Sequence, residues 1–323
     1  MNFVFSRKEK KGLDMTKYIL KRLLILIPTL LGVSFIVFLL LYLSPGDAAL
    51  AAAGPNAPKE TVEAIRESLG LNEPFLVQYG NYLKNLVFHF DLGTSYQSGR
   101  SVTAALLRVF PTTIKLAGGA LLIAVVMGIS FGVLAALKKN TIIDSIITAV
   151  GMVGLAMPIF WSGLLLIIIF STKLKLLPAS GFSSIKQMIL PWFALGFQSS
   201  AVIMRMTRSA MLDVLDKDYI RTAYAKGLPK SKIIFVHALK NAMVPVITTI
   251  GLQAGGLLGG SILTETIFSI PGIGRLMVDS IKTRDYPIIL GAIMLIAIVY
   301  SVISIVVDIL YGFINPRIKS EYK

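Results

Sequence analysis

Long apolar runs separated by shorter polar segments dominate the pattern of this chain. A helix needs about 20 mostly apolar residues to cross the ~30 Å hydrocarbon core of a bilayer. Six segments reach or approach that length, at residues 23–43, 113–137, 146–170, 189–204, 244–264 and 288–311. The fourth is short, and Pro191 lies near its start. The pattern predicts an all-α membrane protein with about six transmembrane helices in one membrane domain.

The composition supports this class. Of the 323 residues, 55% are hydrophobic and 15% are charged, and the mean hydropathy of +0.75 is too high for a soluble domain. We predict a cytoplasmic segment at residues 1–22, a transmembrane domain at residues 23–312 and a cytoplasmic tail at residues 313–323. Within the membrane domain, we expect an outer loop at residues 44–111 and a cytoplasmic loop at residues 205–243.

The distribution of basic residues predicts the orientation. With six spans, 20 of the 32 Lys and Arg residues fall on one side of the membrane. Short loops rich in Lys and Arg stay in the cytoplasm. The outer loop carries acids that roughly balance its bases. Both termini are therefore predicted to be cytoplasmic.

The start of the chain has the outline of a signal peptide, because basic residues precede an apolar run and then the small residues 48–53. The apolar run is longer than the ~7–15 residues of a signal-peptide core, so we favour an uncleaved first span. Met15 is an alternative start of translation.

Several kinds of chemistry have no support in the residues. The formal charge of +15 comes without the aromatic-interleaved basic patch that binds nucleic acid, and topology with attraction to anionic lipid explains it. The chain has no cysteine, and its two histidines, His89 and His237, are predicted on opposite sides of the membrane. We therefore expect no metal site and no cofactor in this chain.

Catalytic arrangements are also missing. There is no phosphate-binding loop of the form G-x-x-x-x-G-K-[ST], no catalytic triad and no carboxylate pair. Asp144, Glu265 and Asp308 lie near predicted span ends, where we expect hydration to make a carboxylate inexpensive. We therefore expect no enzyme active site and no proton relay, so energy would come from a partner or a gradient.

One short helix is predicted outside the membrane. Residues 59–71 have helical spacing of apolar side chains and end near Gly70. This helix would either cover the outer mouth of the protein, meet a partner, or simply shield the spans.

Glycines recur at four-residue spacing in two predicted spans. Gly128 and Gly132 lie in the second span, and the fifth contains Gly251, Gly255, Gly256, Gly259 and Gly260. Small residues let helix backbones approach closely, either within one subunit or against a partner.

The fifth span is also unusually polar, with Thr248, Thr249, Gln253 and Ser261. Such a helix is expected to face a partner or a water-filled path rather than lipid. We place it beside the translocation route, with four candidate residues for the pathway or for helix packing: Gln253, Gly255, Gly256 and Gly259.

A basic segment at residues 213–244 is the most informative part of the chain. Asp218 is expected to cap a helix of about nine residues that ends at Gly227-Leu228-Pro229. Ser231 is expected to cap a second helix that runs through Ala242 into the fifth span. In the first helix, four residues are predicted to lie on one face: Ile220, Ala223, Tyr224 and Gly227.

Two interpretations of this segment remain open on physical grounds. The small residues Ala223, Ala225 and Gly227 leave room for a partner surface to come close. Alternatively, the helix lies on lipid headgroups with its lysines in contact with phosphate.

A family resemblance favours the partner. DYIRTAYAKGLPKSKIIFVHALKNAMVPV (residues 218–246) is similar to the cytoplasmic EAA loop of ABC-importer permeases, in the form found in the dipeptide, oligopeptide and nickel branch. The resemblance implies a coupling helix that sits in a cleft of an ATPase subunit. Ala223 and Gly227 would allow close approach, and Tyr219, Arg221 and Lys226 would make flanking contacts. The chain departs from the broader motif, because Arg221-Thr222-Ala223 replaces Glu-Ala-Ala and the later proline is displaced to Pro245.

Other segments carry the same resemblance over nearly the whole chain from Met15. They are KYILKRLLILIPTLLGVSFIVFLLLYLSPGD (17–47), GLNEPFLVQYGNYL (70–83), FDLGTSY (90–96), PIFWSGLLL (158–166), LLPASG (176–181) and LTETIFSIPGIGRLMVDSIKTRDYP (263–287). Asn315-Pro316-Arg317 stands where the family usually has Asp-Pro-Arg.

The resemblance implies the architecture of a type I ABC importer permease in a bacterial inner membrane, working by alternating access. It also implies a second related permease subunit, two ATPase subunits that carry ATP and Mg, and an extracytoplasmic solute-binding protein. Peptides are the expected substrate, and nickel is the alternative within the family. A scaffold or sensor subunit that moves nothing is the alternative outside it.

Overall fold

The computed structural model describes residues 2–54 and 56–314. Regular structure in these residues is helical, apart from one antiparallel bridge between Thr94 and Ser101. The helices are α1 (Asn2–Leu43), α2 (Ala48–Ala53), α3 (Lys59–Ser68), α4 (Phe75–His89), α5 (Val102–Leu137), α6 (Ile142–Ala156), α7 (Ile159–Leu166), α8 (Ile185–Leu215), α9 (Asp218–Ala225), α10 (Lys230–Lys232), α11 (Leu239–Ile267), α12 (Ile273–Thr283) and α13 (Tyr286–Ile314). π-helical segments, Ile167–Lys173 and Ile233–Ala238, follow α7 and α10.

The described chain divides into two compact units. The first contains the described residues within Met1–Arg108 and Met277–Ile305, and the second contains those within Val109–Leu276 and Val306–Lys323. Asn315-Pro316-Arg317, in the predicted tail, lies outside the described residues.

The predicted all-α membrane architecture is confirmed. Five described helical stretches are long and apolar enough to cross a membrane: Leu20–Leu43, Val102–Leu137, Ile185–Leu215, Lys230–Gly259 and Tyr286–Val307. A sixth span is complete only if α6 and the helix that starts at Ile159 count together.

The prediction of one continuous third span at residues 146–170 is wrong. α6 and the following helix, Ile159–Lys173, are bent by 108° at a short break. Met157 at the break is extended, with φ −81° and ψ 121°, and Pro158 follows it. Proline disfavours helical geometry in the preceding residue and has no N–H to donate, so the helix ends there.

The fourth predicted span is longer than the apolar run suggested. α8 covers 31 residues, and Pro191 lies in its second turn. Its most apolar stretch is 56% buried, more than in any other spanning helix of the described chain. Charged residues near both ends of α8, among them Lys186, Arg205 and Asp213, are exposed, so the helix extends beyond the apolar run on both sides.

Glycines bring α5 and α8 into close contact within the second unit. A Cβ on Gly128 would lie 2.6 Å from Ile203, and one on Gly132 would lie 2.5 Å from Thr207. From the other side, a Cβ on Gly196 would lie 2.5 Å from the carbonyl oxygen of Ala120. Gly128 and Gly132, the glycines predicted for the second span, therefore pack against another helix of the same chain.

In the first unit, α4 packs on α1 through aromatic rings. Phe75 and Tyr79 of α4 lie against Phe35 and Phe38 of α1, with ring centroids 5.4–5.7 Å apart. The preceding helix, α3, matches the predicted extramembrane helix at residues 59–71, although it ends at Ser68.

Candidate functional site

The predicted coupling segment begins with α9. Lys217, rather than the predicted Asp218, occupies the N-cap position, and Asp218 is the first residue of the helix. The helix ends in a Schellman turn, in which the Gly227 N–H donates to the Tyr224 carbonyl (3.0 Å) and the Leu228 N–H donates to the Ala223 carbonyl (3.3 Å). Gly227 has φ +72°, a conformation that side chains with a Cβ disfavour. The predicted stop signal therefore works as expected.

Burial divides α9 into two faces. Ile220 and Ala223 are buried in a core cluster that α8, α11 and the π-helical segment also supply. Tyr219 and Tyr224 are exposed by 46% and 47%. The prediction that Tyr224 shares the face of Ile220 and Ala223 is therefore wrong.

The exposed surface contains most of the predicted coupling residues. Arg221, Lys226 and Gly227 are exposed, and no atom lies within 4 Å of a Cβ placed on Gly227. Arg221 lies 3.7 Å from Asp218, but both are so exposed that the pair adds little stability. Ala223 directs its methyl group into the core. Contacts between these residues and an ATPase stay a prediction.

The second helix of the segment begins differently from the prediction. Pro229 is the N-cap of α10, so Ser231 lies inside the helix rather than capping it. The π-helical segment Ile233–Ala238 then leads directly into α11. α9 is thus joined to a spanning helix by continuous helical backbone and a single turn.

The four predicted pathway residues lie on α11 at different depths. Gly255 is buried and Gln253 is partly buried. Gly256 and Gly259 are exposed, and a Cβ on either would meet nothing within 4 Å. A polar pathway along this helix stays a prediction. Four hydroxyl groups of α11 donate to carbonyls of their own helix: those of Thr248, Thr249, Ser261 and Thr266.

Asp144 is not stabilised by hydration, contrary to the prediction. Its side chain is 7% exposed and forms a two-point ion pair with Arg208, with Nε and one terminal nitrogen each 2.7 Å from a carboxylate oxygen. The Asn140 N–H donates to the same carboxylate at 3.0 Å. The pair connects α6 to α8, and no residue spacing in the sequence indicated it.

Glu265 also differs from the prediction, because it is fully buried. Thr113 donates its hydroxyl to the carboxylate at 2.7 Å, and the Arg275 N–H donates at 3.1 Å. Thr113 in turn accepts the Ile273 N–H at 2.9 Å. Hydrogen bonds, including those from the first turn of α12, therefore compensate for burial of this acid.

A second cluster, in the first unit, contains residues that the sequence did not single out as a site. Asp285 is 3% exposed and accepts hydrogen bonds from the Ser95 hydroxyl and the Tyr96 N–H. Gln97 donates to the carbonyls of Ala51 (2.9 Å) and Thr283 (3.0 Å). Burial raises the pKa of Tyr96 to about 12, and the nearby negative charge of Asp285 adds to the shift, so the phenol stays neutral.

This cluster brings together three of the segments that carry the resemblance. The FDLGTSY segment supplies Ser95 and Tyr96, and the segment that ends at Pro287 supplies Asp285. Gly46 of the first-span segment lies against the guanidinium group of Arg284, where a Cβ would overlap it. Asp285 is about 190 residues from Ser95 and Tyr96 in the chain, so the sequence did not indicate that they form hydrogen bonds.

A cavity of about 670 Å³ lies in the same unit. Its lining mixes aromatic and polar side chains, among them Ser44, Asp47, Arg66, Gln78, Asn85 and Tyr286. A volume of this order is typical of small-molecule sites.

The acid on the cavity wall is held in its charged form. Asp47 caps α2 by accepting the N–H groups of Ala49 and Leu50, and it pairs with Arg66. Partial burial raises the pKa of Asp47, but the two backbone donors and the Arg66 guanidinium outweigh it and lower the pKa below the ordinary value. Among the described residues, no group of three or more acids or histidines is placed to hold a metal ion.

Comparison with solved structures identifies the fold. Two inward-facing crystal forms of the MetNI methionine ABC transporter align with TM-scores of 0.54 and 0.56 at 16% identity. The alignments cover 66% and 65% of this chain and 97% and 96% of those chains. At this identity the likeness concerns the fold alone.

Relatives of known name align over nearly the full length. The dipeptide transport system permease protein DppB of Alkalihalophilus pseudofirmus is 42% identical, covering 94% of this chain and 100% of the relative. The glutathione transport system permease protein GsiC of Escherichia coli O6:H1 is 43% identical, covering 94% and 99%. The di/tripeptide transport system permease protein DppB of Pseudomonas aeruginosa is 42% identical, covering 95% and 100%.

Two family descriptions cover most of the chain. Residues 128–320 match the binding-protein-dependent transport system inner membrane component, and residues 15–117 match the N-terminal part of the same kind of membrane component. The first match includes most of the core cluster and the exposed face of α9, and the second includes α4 and the part of α1 from Met15 onwards. With its spanning helices and these full-length relatives, the chain belongs to the family of inner membrane permease components of binding-protein-dependent ABC transport systems.

Proposed function

We propose that this chain is the permease subunit of an ATP-driven importer that moves short peptides into the cytoplasm. One observation carries the proposal: permeases named for dipeptides, di/tripeptides and glutathione are each 42–43% identical to it over at least 94% of its length. Glutathione is itself a tripeptide, so the three names share one substrate class.

The energy would come from partner subunits. We propose that two ATPase subunits bind ATP and Mg, and that a second related permease and an extracytoplasmic solute-binding protein complete the importer. Both termini would lie in the cytoplasm, on the side of α9. The exposed Tyr219, Arg221, Lys226 and Gly227 support docking of α9 on an ATPase.

The packing of α9 supports a mechanical role in alternating access. Ile220 packs with Met211 of α8 and with Ala242 and Val246 of α11 in one cluster. Close-packed side chains transmit displacement rather than absorbing it. When ATP closes the ATPase pair, a docked α9 would therefore move together with the adjoining ends of two spanning helices.

Uptake in a deletion strain tests the substrate class. We would delete the gene in its host and measure uptake of labelled di-, tri- and pentapeptides and of labelled nickel, with and without energy depletion. Loss of energy-dependent peptide uptake, restored by the gene on a plasmid, is expected.

Other outcomes would overturn the proposal. Loss of nickel uptake alone would move the chain to the nickel permeases. If neither uptake changes and no ATPase co-purifies with the tagged chain, the scaffold or sensor alternative replaces the importer.

A further inference from the structure

The surface of α4 has three distinct parts. One side carries the rings of Phe75, Tyr79 and Tyr82, which pack on α1. A second side places Gln78, Asn81 and Asn85 on the cavity wall. The remaining side is an exposed apolar stripe that continues past the end of the helix: Leu76 (72% exposed), Val77 (44%), Val87 (56%), Phe88 (74%) and Phe90 (85%).

The contacts of α4 with α1 reveal its depth. Tyr79 donates its hydroxyl to the Leu31 carbonyl at 3.2 Å and lies 2.9 Å from the Ser34 hydroxyl. Leu31 precedes Leu43, the end of the apolar span, by 12 residues, or about 18 Å at the rise of an α-helix. That is more than half of a hydrocarbon core of about 30 Å. The first turns of α4 therefore lie beside the membrane-embedded half of α1.

The composition of α4 agrees with this depth. Besides tyrosine, its 15 residues contain two ionisable side chains, Lys84 and His89. The neighbouring α3 has five charged residues among ten, as a solvated helix does. Lys84 is exposed, and its long stem can carry the ammonium group to the headgroups.

The surface of α1 is exposed and apolar, like the stripe on α4. The apolar window of α1 is only 6% buried, and Leu31, Phe35 and Leu40 are among its exposed apolar side chains. In a spanning helix such a surface contacts lipid, since water cannot reach it at that depth. The start of the stripe, at Leu76 and Val77, lies beside this surface and therefore meets the same medium.

We propose that α4 lies within the leaflet at the Tyr42 end of α1, with its stripe of Leu76, Val77, Val87 and Phe88 in contact with lipid acyl chains. A helix of 15 residues is too short to span a bilayer, and its apolar and polar sides suit the interfacial region. Part of the predicted outer loop, residues 44–111, therefore belongs to the membrane, and the cavity lies on its polar side.

Single cysteines test this placement, because the chain contains none. We would make Leu76→Cys, Phe88→Cys, Asn81→Cys and Asn85→Cys, attach a nitroxide to each, and reconstitute the full transporter, with cysteine-free partner subunits, in lipid nanodiscs. All four positions are exposed in the chain itself, so differences report the surroundings. Spin relaxation by oxygen, which concentrates in lipid, and by a water-soluble nickel chelate distinguishes the two media.

The expected result is opposite behaviour of the two pairs. Labels at positions 76 and 88 should relax several-fold more with oxygen than with the chelate, and labels at 81 and 85 should show the reverse preference. Preference for the chelate at 76 and 88 would overturn the proposal in favour of a solvated helix. Protection of 76 and 88 from both reagents would overturn it in favour of coverage by another protein subunit.

Discussion

At the scale of single residues, Gly227 shows how one position defines the end of the coupling helix. Its positive φ closes the Schellman turn, and its missing side chain leaves the surface beside Tyr224 open. Backbone conformation and surface shape are separate requirements, and two substitutions distinguish them.

We predict that Gly227→Ala retains most uptake and ATPase binding, whereas Gly227→Trp loses both. Each variant bears the same cost of a positive φ, about 1–2 kcal/mol, but only Trp adds bulk to the surface. Co-purification of the ATPase and energised uptake are the measurements. Normal values for Gly227→Trp would show that no partner approaches this turn, and equal loss in both variants would assign the effect to the backbone.

The ion pair between Asp144 and Arg208 is expected to stabilise the packing of α6 on α8. We predict that Asp144→Asn lowers the unfolding free energy by about 2–4 kcal/mol, because Arg208, whose side chain is only 29% exposed, loses its charged partner. The matched control, Asp218→Asn, disrupts an exposed pair and should change it by less than about 1 kcal/mol. Denaturant unfolding of the purified subunit in detergent measures both. Equal effects of the two variants would contradict the prediction.

At the scale of elements, glycines with similar spacing have different surroundings. Gly128 on α5 is packed against Ile203. Gly259 on α11 is exposed, and no atom of the chain lies within 4 Å of a Cβ placed on it. Glycine spacing can be read from the local sequence. Which helix packs against those glycines depends on the tertiary structure.

We predict that Gly128→Ala destabilises the isolated subunit by about 1–3 kcal/mol through overpacking. Gly259→Ala should be neutral or stabilising by up to about 1 kcal/mol, because alanine favours the helix and nothing obstructs its Cβ. Thermal unfolding in detergent compares them. A larger loss for Gly259→Ala would mean that α11 is closely packed after all.

At the scale of the whole molecule, the bend after α6 determines how the chain crosses the membrane. If α8 crosses towards α9, and α9 lies in the cytoplasm as we propose, then α6 and the helix that follows it must together carry the chain outward. Among the described residues, the pair of helices bent by 108° is the crossing that length and composition leave open.

We predict that Ser180→Cys reacts with a membrane-impermeant maleimide on intact spheroplasts, and that Asn140→Cys reacts only after permeabilisation. Both positions are exposed and flank the bent pair. Ser98→Cys in the outer loop is the positive control. Protection of Ser180→Cys in intact spheroplasts would show that the bent pair returns to the side on which it began.

Local properties determined most of the fold. Apolar runs of span length predicted the membrane helices, because the cost of unpaired backbone in lipid leaves a helix as the structure for such a run. Gly227 and Pro229 predicted the end of α9, because the backbone preferences of glycine and proline act within a few residues.

Only the tertiary structure decided which neighbour each face meets. It turned Ala223 inward and Tyr224 outward, paired Asp144 with Arg208 and buried Glu265 under Thr113. It also placed α4 beside the middle of α1. Helical periodicity specifies which residues share a face, but contacts across tens to hundreds of residues depend on how helices pack, and that information is not local.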